Sequence, residues 1–293
     1  MPELIEAKTI LSKLKDGPDP YFGITYNMNL YRGCQHQCIY CDSRSKVYGI
    51  EDFKKIQIKT NALMLLEKAL KQRSNLKGTI GTGSMNDPYM PIERDEKLTR
   101  GALALIAEYR YPVHVFTKSN LVVRDMDIIH EIANIYAAVS FTITAANDKL
   151  AQVLEPGTVV SSERFKALST LAEKGIYCGI VLTPVLPYLT DTEENIIEII
   201  NRAKESGASY VLGWMGMTQR EGQREYYYQK LDEYFPGLRQ KYIRRFGNSY
   251  ECAPENAEKL QQVFYDSCRK NNLSTKMEFY RDNAPEQLNL FNL

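Results

Sequence analysis

The chain has 293 residues, which suits one large α/β domain with an appendage or two small domains. Hydrophobic residues make up 44% and charged residues 25%, which excludes a disordered, collagen-like or low-complexity chain. Lys plus Arg total 37 against 36 for Asp plus Glu, a net charge of +1, so a globally basic nucleic-acid binder is not indicated and only a local basic patch stays open.

The start, Met1-Pro2-Glu3-Leu4-Ile5-Glu6, has no basic n-region and no apolar h-region, and no stretch approaches the roughly 18 apolar residues of a membrane helix. The expectation is a cytoplasmic protein without a membrane association. After a polar entry, Gly23 to Tyr31 alternates and is β-prone, a first strand. Residues 61–72 carry Leu63, Leu66, Ala69 and Leu70 at helical spacing. Gly78 to Thr82 reads as a second strand, 96–109 as helix and Val113 to Thr117 as a third, buried strand. Residues 127–135 follow as helix and Ala137 to Thr144 as a fourth strand. Ser161-Ser-Glu-Arg164 reads as a cap before a helix over 165–174 that Gly175 stops. Ile176 to Thr183 is a fifth strand, Asp191 a cap for a helix over 194–205, and Ala208 to Met215 a sixth strand.

Six strand–helix alternations of βαβ length imply a parallel sheet with helices outside. Six units are too few for a closed eight-fold barrel, so the expected fold class is α/β, a partial parallel (β/α)6 barrel with a C-terminal helical extension. Chemistry then belongs at the carboxyl ends of the strands. The expected division is an N-terminal extension over 1–20, the barrel over 21–220, helices over 221–283 and a tail over 284–293.

Three of the six cysteines fall within eight residues, as Cys34-Gln-His-Gln-Cys38-Ile-Tyr-Cys41. In a reducing compartment such clustering points to metal or catalysis rather than to disulfides. Three thiolates on a short loop can wrap one face of a cubane [4Fe-4S] cluster, leaving one iron open to another ligand. Gly33 permits a close backbone approach, and Arg32 would offset part of the negative charge. The other reading is a structural zinc site completed by His36, Cys252 or Cys268. Zinc sites usually pair C-x2-C with a second two-ligand knuckle, which this chain lacks.

With Tyr40 before the last cysteine and the loop at the end of the first strand, Tyr21 to Thr218 resembles the radical S-adenosylmethionine (SAM) superfamily. The resemblance implies a [4Fe-4S] cluster on Cys34, Cys38 and Cys41, with the amino and carboxylate groups of S-adenosyl-L-methionine on the open iron. It implies reductive cleavage to methionine and a 5′-deoxyadenosyl radical that abstracts hydrogen, and an electron donor such as flavodoxin or ferredoxin. Asn29-Leu-Tyr-Arg-Gly-Cys34, Gly83-Ser-Met-Asn-Asp-Pro-Tyr89 and Leu154-Glu-Pro156 resemble the branch related to spore photoproduct lyase. No cysteine lies between Cys41 and Cys178, and Asp42 stands after the last cluster cysteine. The lyase has a hydrogen-donating cysteine near the end of its second strand and a tyrosine after the last cluster cysteine. The likeness is therefore to the branch and not to photoproduct repair.

The remaining strand ends read as a nucleoside site. Ser84, Asn86 and Asp87 close strand two with hydrogen-bonding groups for the methionine amino group, as the resemblance implies; an ordinary capped turn would use the same letters. Lys118 at the end of strand three could pair with the methionine carboxylate. Ser140, Thr142 and Thr144 share one face of strand four by the period of two and suit ribose hydroxyls. Arg164 and Glu155, in the loop after strand four, could assist there, and strand five offers apolar walls and backbone groups for the adenine. His114 and His130 read as core or surface histidines.

Beyond residue 220 the chain is Tyr-rich and locally basic. Arg239, Lys241, Arg244 and Arg245, with Tyr226 to Tyr228 and Tyr242 nearby, could grip phosphates and stack on bases, or form a solvated helix face. Cys252 is a candidate hydrogen-atom donor or buried filler. Gln287, Leu288, Leu290 and Phe291 near the end resemble the bacterial sliding-clamp-binding peptide, and such a segment binds a partner or docks on its own domain. The expected function is a radical enzyme abstracting hydrogen, with nucleic acid as substrate. The alternatives are a peptide or small metabolite as substrate, or a zinc-stabilised nucleic-acid-binding adaptor.

Overall fold

The computed structural model describes residues 2–73 and 77–281. The clamp-like peptide, Gln287 to Phe291, lies outside the described residues. Strands β1 (Ile24–Met28), β2 (Thr79–Thr82), β3 (Val113–Thr117), β4 (Ala137–Thr142), β5 (Tyr177–Leu182) and β6 (Tyr210–Gly213) stand side by side in that order, all parallel. The connecting helices are α1 (Ala62–Gln72), α2 (Leu98–Glu108), α3 (Met126–Ala133), α4 (Ser161–Glu173) and α5 (Glu193–Glu205). Strands β2 to β5 are buried on both faces, as a parallel sheet under helices requires. The expected α/β partial (β/α)6 barrel is the fold observed.

Several local expectations shift. Leu11–Lys13 adds an antiparallel strand beside β1, and Glu3–Ile5 joins Gln57–Lys59 and Tyr31–Arg32 in a small side sheet. These strands are too short to carry a readable period. Ser161 is the first residue of α4 rather than its cap, because its hydroxyl donates to the Ala145 carbonyl at 2.6 Å. Thr192, not Asp191, caps α5, accepting from the Asn195 amide at 3.2 Å. An additional helix, Asp148–Leu154, follows β4 under an Asn147 cap.

Three further helices complete the described chain: α6 (Gln223–Tyr234), α7 (Leu238–Phe246) and α8 (Ala257–Lys270). Helix α8 packs beside α5 on the outside. The chain after it then bonds to the edge of β6, Val211 donating to the Ser274 carbonyl at 2.8 Å. It continues across the amino ends of the strands. Tyr136 donates to the Glu278 carbonyl at 2.8 Å, the Glu278 amide donates to the Tyr177 hydroxyl at 3.0 Å, and Met277 packs with Ala138 and Tyr210. This segment covers the amino end of the barrel. Above it, His114 Nε2 lies 2.8 Å from Ser140 Oγ, which lies 2.7 Å from the Tyr210 hydroxyl. Burial holds the His114 imidazole far down, at about 3, and so neutral. His114 is a core histidine, and the barrel is solid below the carboxyl ends of its strands.

Helices α6 and α7 cap the opposite end. Tyr227, Tyr228, Leu231, Tyr242 and Phe246 pack into one cluster with Ile39 and Tyr40 of the cysteine loop and with Leu154 and Leu186. Tyr242 donates to the Pro187 carbonyl at 2.8 Å and lies 3.0 Å from the Tyr227 hydroxyl. The tyrosine run that suggested base stacking is therefore mostly core. Tyr226 alone of that run stays partly exposed, with the Arg44 guanidinium 3.8 Å above its ring.

Candidate active site

A cavity of about 350 Å³ opens at the carboxyl ends of the strands. The cysteine loop forms one wall with Cys34, Cys38, Tyr40 and Cys41. The turn after β2 supplies Ser84, Asn86 and Asp87, the end of β3 Lys118, and the end of β4 Thr142. These predicted residues, scattered over more than a hundred positions, meet round one space.

A cysteine loop has few internal bonds of its own, so its shape comes from neighbours. The Cys34 amide donates to the Phe53 carbonyl at 3.2 Å, and the Ile39 amide to the Leu154 carbonyl at 2.9 Å. The Gly157 amide donates to the His36 carbonyl at 2.9 Å, and the Gln223 side chain to the Tyr40 carbonyl at 3.0 Å. Gly157 must be glycine, because a Cβ there would stand 2.1 Å from the Gln35 carbonyl oxygen. This is the physical content of the Leu154-Glu-Pro-Gly stretch: it buttresses the loop.

Below the loop lies a buried charge network. Tyr40 donates its hydroxyl to Glu155, and the other Glu155 oxygen pairs with Arg164 at 2.5 Å. Arg164 is fully buried and also donates to the Thr142 and Val159 carbonyls, both from 3.0 Å. Burial would raise the Glu155 carboxyl, but the Arg164 and Lys118 cations outweigh it and hold it low. Burial likewise works against the Lys118 ammonium, and Cys38 in its thiolate form, followed by the Glu155 carboxylate, more than offsets it. Arg164 and Glu155 thus shape the wall without lining the cavity.

Asp87 ties three elements together. It accepts from Thr117 Oγ1 and the Tyr89 amide, each at 2.8 Å, and from the Lys118 amide at 2.6 Å, while His36 Nδ1 stands at 3.3 Å. Burial would raise its carboxyl, but His36 and these donors hold it down at about 2. Asn86 donates to the Tyr31 carbonyl at 2.7 Å, and Ser84 is within 3.2 Å of the Asn29 amide nitrogen. Gly83, at φ +82°, lets this turn pass the Phe116 carbonyl, 2.7 Å from where a Cβ would stand.

Other expectations are corrected. Ser140 lies below the cavity, its hydroxyl taken by His114 and Tyr210. Thr144 lies past the end of β4, 3.2 Å from the Tyr40 hydroxyl, so of the three strand-four hydroxyls only Thr142 reaches the cavity. The period of two put them on one face, but the strand ends at Thr142 and the face descends into the core. Arg32 turns away from the cysteines, donating to the Tyr48 and Gly49 carbonyls at 3.2 and 2.6 Å. Cys252 is fully buried under α6 and α7, 3.9 Å from the Ser249 carbonyl, and does not line the cavity. Trp214, Phe116 and Met217 line the cavity without having been predicted. Trp214 follows β6 at the mouth, 41% exposed, and its place at a strand end was the available signal.

The radical SAM superfamily matches residues 28–203, more than half of the chain. The chain belongs to the radical SAM superfamily. It is 27% identical over 244 residues to an uncharacterized protein of Mycobacterium tuberculosis, covering 81% of this chain and 72% of that one. It is 35% identical over 192 residues to an uncharacterized protein of Methanocaldococcus jannaschii, covering 64% and 71%. Its fold is that of spore photoproduct lyase. The lyase complexed with dinucleoside spore photoproduct aligns with a TM-score of 0.66 at 18% identity, over 91% of this chain and 78% of the lyase.

Membership of the radical SAM superfamily implies a [4Fe-4S] cluster and S-adenosylmethionine, and the residues present fit them. Three soft thiol donors share one cavity wall, and a partly buried cation, Lys118, faces the charge that thiolates bring. Burial, followed by the Cys41 charge, pushes the Cys34 thiol up to about 12, and burial raises Cys38 too, so metal must displace protons there. Among the described residues no three His, Cys, Asp or Glu side chains converge on a single metal ion. Of the other residues offered to zinc, His36 lines the same cavity with its Nδ1 turned to Asp87 at 3.3 Å, and Cys252 and Cys268 lie in separate parts of the core. Among the described residues no helix is long and apolar enough to cross a membrane.

Proposed function

We propose that this chain is a radical enzyme in which Cys34, Cys38 and Cys41 hold the [4Fe-4S] cluster and the adjoining cavity takes S-adenosylmethionine, for hydrogen abstraction from a carbon of a nucleic-acid substrate. The observation that carries this is the meeting of the three thiols, Lys118 and the β2 turn round one cavity at the carboxyl ends of parallel strands. When bound, the two cofactors would supply one-electron reductive chemistry at a sulfonium for hydrogen abstraction, the electron coming from an external donor.

The residues of the chain do the rest. Lys118 offsets thiolate charge and is placed to pair with the methionine carboxylate. Asp87, saturated by its donors, positions Lys118 and the turn rather than binding a ligand itself. Ser84 and Asn86 leave oxygen acceptors on the turn for the methionine amino group. Glu155 locks the Tyr40 ring beside Cys41, Thr142 offers a hydroxyl to the ribose, and Phe116, Met217 and Trp214 exclude water.

Nucleic acid is favoured over a peptide or small metabolite by the exposed basic face of α7, at the same end as the cavity, where Lys241 stands 5.6 Å over the Tyr188 ring. The dinucleoside bound by the lyase of like fold points the same way. A flavodoxin or ferredoxin is the proposed electron source, and the clamp-like peptide the proposed link to replicating DNA. Anaerobic reconstitution with iron and sulfide, followed by chromatography for 5′-deoxyadenosine, tests the reading. Cys38→Ala should lose the cluster absorbance and all S-adenosylmethionine cleavage. Cleavage retained in that variant refutes the site. Cleavage unaffected by single- or double-stranded oligonucleotides but stimulated by peptides refutes the substrate class.

A further inference from the structure

A second cavity, of about 400 Å³, lies beside the first and shares Met85 and Asn86 with it as a common wall. Two cations face it. Lys59, on the side sheet, places its ammonium 2.5 Å from the Asn29 carbonyl, one residue beyond the end of β1. Arg32 donates to the Gly49 and Tyr48 carbonyls. Backbone oxygens are thus the acceptors of both, and among the described residues no carboxylate pairs with either. Glu6 and Lys8 stand exposed at the rim and cancel one another in charge.

Half-buried charges normally have a counter-charge, and two like charges side by side cost folding free energy. Burial first, and then the Arg32 charge, press the Lys59 ammonium below its ordinary value. Polar groups of Ser12, Asn27 and Asn29 share the lining. The chemistry of the wall is that of an anion site: cationic donors, amides and a hydroxyl, open to solvent and adjoining the reaction cavity across Met85 and Asn86.

We propose that the cavity at Lys59 and Arg32 is a phosphate subsite that holds a phosphate of the substrate beside the radical cavity. It rests on the nucleic-acid reading above, and the same chemistry would take the phosphate of a free nucleotide. A phosphate there anchors the substrate by its backbone, while the group to be attacked lies in the radical cavity on the other side of Met85 and Asn86. Such a contact positions without reading sequence.

Binding to the reconstituted protein is measured by fluorescence for three probes: a labelled single-stranded oligonucleotide, deoxycytidine 5′-monophosphate and deoxycytidine. The monophosphate should bind more tightly than the nucleoside, and inorganic phosphate should compete with it. Lys59→Gln should erase that preference, weaken the oligonucleotide roughly tenfold at low salt and lower its salt slope by about 1. Lys59→Arg should keep all three properties. Equal binding of nucleotide and nucleoside to the unaltered protein, or a Lys59→Gln variant that binds like it, overturns the subsite. If Lys59→Gln does not fold, the phosphate competition decides, and its absence overturns the proposal. A protein that binds the monophosphate through Lys59 but no oligonucleotide keeps the subsite and sinks the nucleic-acid reading instead.

Discussion

The cysteine loop and helix α7 stand at the same end of the barrel and hold their functional groups by opposite means. The loop is tied through its backbone to the Leu154–Gly157 stretch, to Phe53 and to Gln223, and its neighbours Tyr40, Glu155 and Arg164 are buried. Helix α7 buries Tyr242 and Phe246 and leaves its charges outside: Arg239 meets Asp232 at 2.7 Å with both side chains nearly half exposed. Rigid scaffolding belongs where donors must keep fixed positions round an inorganic group. Exposed, adaptable cations suffice where only the charge of a polyanion is felt.

Substitutions can break this contrast in order of severity. Gly157→Val should be the harshest, since no side-chain movement removes the overlap with the Gln35 carbonyl. A loss of about 4 kcal/mol in chemical denaturation is expected, with little iron retained after reconstitution. Stability and iron content close to those of the unaltered protein would show that the loop is not braced there. Glu155→Gln leaves Arg164 buried without its anion and should cost about 3 kcal/mol, read in the same experiment on the metal-free chain.

Asp87 provides the pH test. Its folded carboxyl lies at about 2 against an ordinary 3.8, so the stabilisation is present above the ordinary value and lost as pH falls through the folded one. The metal-free protein should lose about 2 kcal/mol from this group between pH 5 and pH 2, and Asp87→Asn should flatten that part of the stability profile. A profile unchanged by the substitution would place the acid lability elsewhere. At the mild end, Arg239→Ala should move stability by no more than about 0.5 kcal/mol and weaken oligonucleotide binding by less than tenfold, an effect that added salt removes.

The same contrast explains what could be read in advance. The barrel was legible because short β-prone segments, alternating or mainly apolar, recur between stretches of helical spacing, both short-range patterns. The cysteines were legible because their spacing is local. Ser140 and Thr144 were misplaced because alternation tells which face a side chain takes and not how deep in the barrel it sits. Tyr227, Tyr228 and Tyr242 mimicked a stacking surface because an amphipathic helix reads alike whether its aromatic face meets a ligand or, as here, the loop carrying Tyr40. Trp214 was overlooked because the sixth strand was expected to run on to Met215, whereas β6 ends at Gly213 and leaves Trp214 at the cavity mouth.

The order of residues alone fixed the alternating architecture, the three-thiol donor set and the strand ends that had to surround it, since these follow from periodicity and from ligand chemistry within a few positions. Which hydroxyls reach the cavity, that Glu155 and Arg164 brace Tyr40, that Gly157 must lack a side chain, and that Lys59 and Arg32 share a second cavity were decided by tertiary packing. Those relations join residues far apart in the chain, and only the closing of the barrel brings them within reach of one another.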